Sequence, residues 1–80
     1  MTDTTTNELL TVDGLGGEYS SLTLPISMVD KVRPLLDAHG IRYWVDENEY
    51  TVNDDPPFTV ITFHRGTDTF RVQELLDSAP

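Results

Sequence analysis

The absence of cysteine from a chain of only 80 residues sets strict limits on how it can fold. Without cysteine there is no disulfide framework, zinc finger, iron–sulfur cluster or thiol nucleophile. A chain of this length buries only about 60–65% of the surface of its unfolded state. We therefore expect one domain with a single hydrophobic core, no cofactor and no enclosed cofactor cavity.

Charge is the strongest compositional feature. Asp and Glu number 14 against five Lys and Arg, which gives a net charge of −9 at pH 7. Phosphate backbones and anionic membranes repel such a chain, so we expect neither nucleic acid nor membrane as a partner. An acidic surface suits a basic protein partner, and it also serves solubility alone. The acidic, hydroxyl-rich N-terminus and the lack of an apolar run of about 20 residues predict a cytoplasmic protein.

The first part of the chain reads as a polar tail followed by two strands. Residues 1–7 predict a disordered tail, and the domain is expected to span residues 8–80. Residues 9–12 predict a short strand, and the glycine-rich turn that follows favours a reversal of the chain. Residues 19–24 alternate between polar and apolar side chains in the manner of a half-buried strand.

Two helices are predicted from their caps and apolar spacing. Ser27 is the predicted N-cap of the first, Gly40 its left-handed C-terminal residue, and Pro34 should bend it or move its start toward Asp30. Its predicted apolar stripe is Val29, Val32, Leu35 and Leu36. Thr67 or Asp68 caps the second helix. Its predicted inner face is Phe70, Leu75 and Leu76, with Val72 beside it.

The segments between the helices predict two more strands. Residues 41–52 read as one long strand with a bulge at 46–49, or as two strands with a turn at Asn48. Residues 58–64 are the most apolar and should be central. The order (β)βαββα predicts an α+β, ferredoxin-like sandwich with two helices on one face of an antiparallel or mixed sheet. Residues 9–12 can occupy the edge that the missing last strand leaves vacant; otherwise the sheet has three strands and the N-terminal segment is disordered.

The stretch from Val32 to Asp46 contains a helix end followed at once by a strand. It reads Leu-Leu-Asp-Ala-His-Gly-Ile over 35–41, and Tyr43 and Val45 follow. This pattern resembles small bacterial ferredoxin-like domains of the signal-transducing type and the ligand-sensing ACT domains. The resemblance implies a ferredoxin-like fold and, for ACT domains, a dimer with a small molecule at its interface. Leu-Pro-Ile-Ser replaces the ACT glycine-rich loop, so no functional residue is carried over.

Two groups of residues have side chains that could carry chemistry. The first is an acidic cluster: Asp46, Glu47, Glu49, Asp54 and Asp55. It does not match a calcium-binding loop, so we expect a solvated hairpin tip and no metal site. The second is His64, which the hairpin brings near Asp46 as a potential general base. No nucleophile or pocket accompanies His64. His39 has the structural role of a cation at a helix C-terminus. We therefore expect no enzyme.

Alternation divides the strand residues between two faces of the sheet. The side chains expected to pack on the helices are Leu22, Leu24, Ile41, Tyr43, Val45, Ile61 and Phe63. A bulge that shifted the register by one residue would instead place Trp44 in the core.

The opposite face is the candidate binding surface. Its expected residues are Tyr19, Thr23, Arg42, Trp44, Val60, Thr62 and His64. Tryptophan, tyrosine and arginine are enriched at binding hot spots. We therefore predict partner-binding residues Tyr19, Arg42, Trp44, Thr62 and His64.

These observations favour a small acidic, non-enzymatic interaction or regulatory module. Its partner is another protein, or a second copy that meets it sheet to sheet. The alternative is an ACT-like dimer that senses a small molecule at the subunit interface. A miniature hydrolase or metal-dependent enzyme is the third possibility.

Overall fold

The chain folds as an α+β structure with one small antiparallel sheet. A computed structural model describes residues 1–3, 7–52 and 56–79. The elements are β1 (Ser21–Pro25), α1 (Ile26–Ala38), β2 (Tyr43–Val45), β3 (Phe58–Phe63) and α2 (Thr69–Ser78). The strands lie in the order β1-β3-β2, and both outer strands are antiparallel to β3. Neither of the two described helices is long and apolar enough to cross a membrane.

Strand β3 is central, as its apolar sequence predicts. Thr59, Ile61 and Phe63 are buried, whereas the residues between them are half-buried. Leu22 of β1 lies opposite Ile61, and both are fully buried. The helices supply the other side of this core through Met28, Val32, Leu36, Val72 and Leu76. Both helices therefore cover the same face of the sheet.

Helix α1 begins two residues earlier than its predicted cap suggests. The predicted Ser27 cap is wrong: Pro25 occupies the cap position, and no side chain caps the helix. The strand leads directly into the helix, and the Ile26 N–H donates to the Pro57 carbonyl at 3.1 Å, which satisfies one exposed donor of the first turn. Pro34 lies inside the helix and does not move its start to Asp30.

The end of α1 confirms the predicted role of Gly40. Its φ of 67° is the left-handed conformation that glycine adopts without a steric penalty. The Gly40 N–H donates to the Asp37 carbonyl, and the Ile41 N–H donates to the Leu36 carbonyl. These two bonds form a Schellman motif, which turns the chain directly into β2.

Helix α2 confirms one of the two predicted caps and corrects its inner face. The Asp68 carboxylate accepts from the Arg71 N–H at 3.2 Å. Phe70 is 60% exposed, so its predicted place on the inner face is wrong. The buried positions are Thr69, Val72 and Leu76. Because Thr69, Val72 and Leu76 face the core, Phe70 projects from the flank of the helix, where its ring lies against Gly16.

Residues 9–12 do not form the predicted fourth strand. Leu10 and Val12 are buried, but the Val12 N–H donates to the Gln73 side chain, which in turn donates to the Leu10 carbonyl. Only Asp13 pairs with β1, through a bridge to Ser21. The segment therefore packs against α2, and the sheet of the described residues has three strands.

Met1 lies in the core, although composition predicts a polar tail there. Its side chain is buried, and its ammonium group donates to the Leu76 carbonyl. The Leu10 N–H donates to the Met1 carbonyl at 2.9 Å. A single apolar residue at the start of a polar stretch gives too weak a pattern to reveal this contact. Residues 4–6 of the predicted tail lie outside the described residues.

The predicted long strand over 41–52 is not formed, because β2 covers only Tyr43–Val45 and Tyr50 makes an isolated bridge, but the predicted interruption between them is present as a bulge. The Asp46 N–H donates to Val60, and Tyr50 pairs with Phe58, so residues 47–49 lie opposite Thr59 alone. The Thr59 hydroxyl lies within hydrogen-bonding distance of the Asp46 and Asn48 carbonyls, at 3.3 and 3.2 Å. Beyond the bulge the Tyr50 and Phe58 rings stack with centroids 5.6 Å apart.

Candidate protein-interaction face

The side of the sheet away from the helices is called the open face here. Register places its side chains in rows across the strands: Trp44 lies opposite Thr62, which lies opposite Ser21. In the next row Val60 lies opposite Thr23. The open face comprises Ser21, Thr23, Arg42, Trp44, Asp46, Phe58, Val60, Thr62 and His64. No described helix packs on this side.

Trp44 is the middle residue of β2, the outer strand on one side of the open face, and is 54% exposed. Its neighbours Tyr43 and Val45 point the other way and pack against the core. Alternation therefore placed all three correctly, and the alternative with Trp44 in the core is wrong. The bulge does not reverse Trp44 because it follows Trp44 in the chain. Because the bulge sets three residues opposite one, Tyr50 faces the same side of the sheet as it would without a bulge.

The five predicted partner-binding residues lie along one end and the centre of the sheet. Arg42 and His64 are exposed neighbours, joined by the His64 N–H to Arg42 carbonyl bond at 3.0 Å. Thr62 is half-buried beside Trp44. Tyr19 is exposed just before β1, next to the point where the Ser20 carbonyl accepts from Phe63. The structure thus brings Arg42, Trp44, Thr62 and His64 onto one face, with Tyr19 at its margin.

Asp46 supplies a fixed negative charge at the other end of β2. Its carboxylate accepts from the Asn48 N–H at 2.9 Å and from the Tyr50 hydroxyl at 2.8 Å. These two bonds, that of Asn48 first, hold the pKa of Asp46 below its ordinary value. The hydrogen bond from the Tyr50 hydroxyl to Asp46 raises the pKa of Tyr50. Asp46 is therefore a carboxylate at neutral pH.

The potential His64–Asp46 pair does not form. His64 lies opposite Arg42, whereas Asp46 lies opposite Val60, which is four positions before His64 in the chain. Four residues of strand span roughly 13 Å, which is too far for proton transfer between the side chains. The His64 ring instead contacts the Arg65 carbonyl at 2.8 Å. His39 is the C-cap residue of α1, at the helix end where its sequence position suggested.

The acidic cluster is only partly described. Asp54 and Asp55 lie outside the described residues. Within the ranges 1–3, 7–52 and 56–79, no group of three or more His, Cys, Asp or Glu residues is arranged to hold a metal ion.

Two contacts beside the open face were not foreseen. The Tyr43 hydroxyl donates to the Asp37 carboxylate at 2.9 Å, which ties β2 to the last turn of α1. The short glycine turn between them is the sequence signal that could have indicated this contact. The Tyr50–Phe58 stack depends on the length of the bulge, which sequence alone did not fix.

No protein-family model, curated protein or solved structure matches the chain. Function must therefore be inferred from the geometry of the molecule itself.

Proposed function

We propose that the protein is a small cytoplasmic, non-enzymatic interaction or regulatory module that binds another protein through the open face of its sheet. The observation that carries the proposal is the exposure of Trp44 on the outer strand β2 of that face. Tryptophan offers a large, rigid contact surface at low entropic cost and is enriched among residues that dominate binding energy. The contact would centre on Trp44 and Thr62, with Tyr19, Arg42 and His64 around them.

The distribution of charge supports this use of the open face. The chain carries a net charge of −9, yet only one of the described residues of the open face, Asp46, is acidic. Interface centres are depleted of charge because charged groups are costly to remove from water. The negative charge of the remaining surface attracts a partner of net positive charge over a longer range. We therefore propose a basic partner with an apolar patch that covers Trp44 and Val60.

The order of the elements also supports the proposal. Strands β1 and β2 flank β3, and α1 connects the two outer strands. We interpret this as a ferredoxin-like sandwich without a strand beyond β1, where, among the described residues, Asp13 alone makes a bridge to the outer side of β1. In such a sandwich the helices cover one face of the sheet, and the other face remains available for binding.

The experiment is affinity capture with matched variants. Trp44→Ala removes the exposed indole ring from the open face, and Phe70→Ala removes an aromatic ring of similar exposure from α2. Circular dichroism should show that both variants are folded. We expect a specific partner to be captured by the unaltered chain and by Phe70→Ala, and lost with Trp44→Ala. Equal capture by all three would place the binding surface elsewhere, and no capture by any would contradict the proposal.

A further inference from the structure

The outer edge of β2 presents backbone groups that nothing in the described chain pairs. Arg42 and Asp46 direct their backbone groups toward β3, as their bonds to His64 and Val60 show. Alternate residues of an antiparallel strand direct their N–H and C=O groups to opposite sides. The N–H and C=O groups of Tyr43 and Val45 therefore point away from β3, where no described residue hydrogen-bonds to them.

The two edges of the sheet differ in this respect. At the β1 edge the outward groups of Ser21 bond to Asp13 in both directions and Pro25 has no N–H to offer, so the outward groups of Thr23 lie between two protected positions. Proteins commonly protect edge strands with proline, lysine or a covering segment. Strand β2 has neither of these residue types, and its sequence is aromatic and β-branched. The β2 edge is thus open to a further strand.

The sequence around Trp44 is complementary to itself. When Arg-Tyr-Trp-Val-Asp over 42–46 is laid antiparallel on a second copy with Trp44 opposite Trp44, Tyr43 comes opposite Val45. These are the residues with outward backbone groups, so the register forms about four hydrogen bonds. The same register sets Arg42 opposite Asp46 twice, and both side chains belong to the open face.

We propose that a second copy of the chain pairs with the β2 edge in this antiparallel register, about a two-fold axis beside Trp44. The two three-stranded sheets then join into one continuous sheet of six strands. This dimer forms edge to edge, and it differs from the sheet-to-sheet dimer considered from sequence. It does not depend on the proposed partner protein.

Charge complementarity identifies the occupant as a second copy. Opposite charges that face each other across antiparallel strands stabilise the pairing, and like charges weaken it. Arg42 is exposed, and Asp46 has accepted only two hydrogen bonds of the roughly four that a carboxylate can accept. A two-fold axis repeats each favourable pair, which is the property of an isologous interface. The open faces of both copies remain on the same side, with the two Trp44 side chains adjacent.

The first test exchanges the charges. Arg42→Asp alone sets acid against acid at both pairs, and Asp46→Arg alone sets base against base. An equimolar mixture of the two variants restores both opposite-charge pairs in a heterodimer. Arg71→Asp and Glu74→Arg make the same charge changes at exposed positions of α2 and serve as controls.

Sedimentation velocity over a range of protein concentrations is the measurement, at about 0.15 M salt, where the Debye length is about 8 Å. We expect a monomer–dimer equilibrium for the unaltered chain and both controls. Each single variant should raise the dissociation constant at least about tenfold, and the mixture should restore it. An unaltered chain that stays monomeric at every concentration overturns the proposal, as do controls that weaken the dimer as much as the test variants.

A second test reports the register and remains informative if Asp46→Arg does not fold. Residues facing each other at a position without backbone hydrogen bonds have Cα atoms about 4.5 Å apart, which is within disulfide range. Since the chain has no cysteine, Trp44→Cys introduces a single thiol at the two-fold axis. Thr23→Cys places the control thiol at an exposed position of β1. With oxidised glutathione, Trp44→Cys should form a covalent dimer much faster than Thr23→Cys, and equal rates contradict the register.

Discussion

The two faces of the sheet are made from alternate residues of the same strands, yet they differ sharply in exposure to water. On the face beneath the helices, Leu22, Ile61 and Phe63 are excluded from water. On the open face, Trp44 stays largely in water although it is the chain's only tryptophan. We therefore expect the folding of the domain to gain less from Trp44 than from the buried Phe63. The difference shows that apolar content alone does not locate a core; the facing of each residue does.

The largest effect should come from the covered face. Phe63 is almost fully buried among both helices and the sheet. Phe63→Ala leaves a cavity and should lower the free energy of unfolding by about 3–5 kcal/mol. Urea denaturation followed by circular dichroism measures this loss. If the loss were under about 1 kcal/mol, in the range of surface substitutions, the two faces would not differ as described.

A smaller loss should come from the segment before β1, which covers the core without joining the sheet. Leu10 is buried there, whereas its neighbour Leu9 is exposed. Leu10→Ala should cost about 2 kcal/mol or more, as buried leucines do. Leu9→Ala is the matched control and should cost under about 0.5 kcal/mol. Similar urea midpoints for the two variants would mean that this segment does not extend the covered core.

Acid should weaken the fold partly through Asp46, at the end of the open face. Its pKa is lower in the folded chain than the ordinary 3.8, so the unfolded chain binds its proton more tightly. This contribution to stability is complete above the pKa that Asp46 has in the unfolded chain. It is lost as the pH falls through the pKa that Asp46 has in the folded chain. Asp46→Asn should remove that part of the pH dependence, measured by urea unfolding across this range.

Glu47→Gln is the control for that measurement, because it removes one charge from an exposed neighbour of Asp46. The unaltered chain and Glu47→Gln should keep the acid-dependent loss that Asp46→Asn lacks. If Asp46→Asn retains it as well, the bonds from Asn48 and Tyr50 do not favour the carboxylate.

The local features of the fold could be predicted from the sequence. The alternation of β3, the glycine at 40 and the Asp68 cap each depend on residues within a turn or two of one another. The facing of Trp44 follows from the same short-range rule. These features are encoded by neighbours, so one sequence was sufficient.

Long-range choices could not be predicted in this way. Leu10 and Val12 have the spacing of a strand, but their backbone partner is the side chain of Gln73, more than 60 positions further along the chain. The separation of His64 from Asp46 depends on how many residues the bulge leaves unpaired. Phe70 was misplaced because the phase of α2 is fixed by Thr69 and Val72, not by the size of the aromatic ring.

Only a small change in stability is expected for Trp44→Ala, and it tests the central claim most directly. If Trp44 serves binding and not folding, urea unfolding followed by circular dichroism should show a loss under about 1 kcal/mol. The protein should remain folded and lose its partner. A loss of about 3–5 kcal/mol, similar to that of Phe63→Ala, would show that Trp44 belongs to the core and would contradict the proposed binding face.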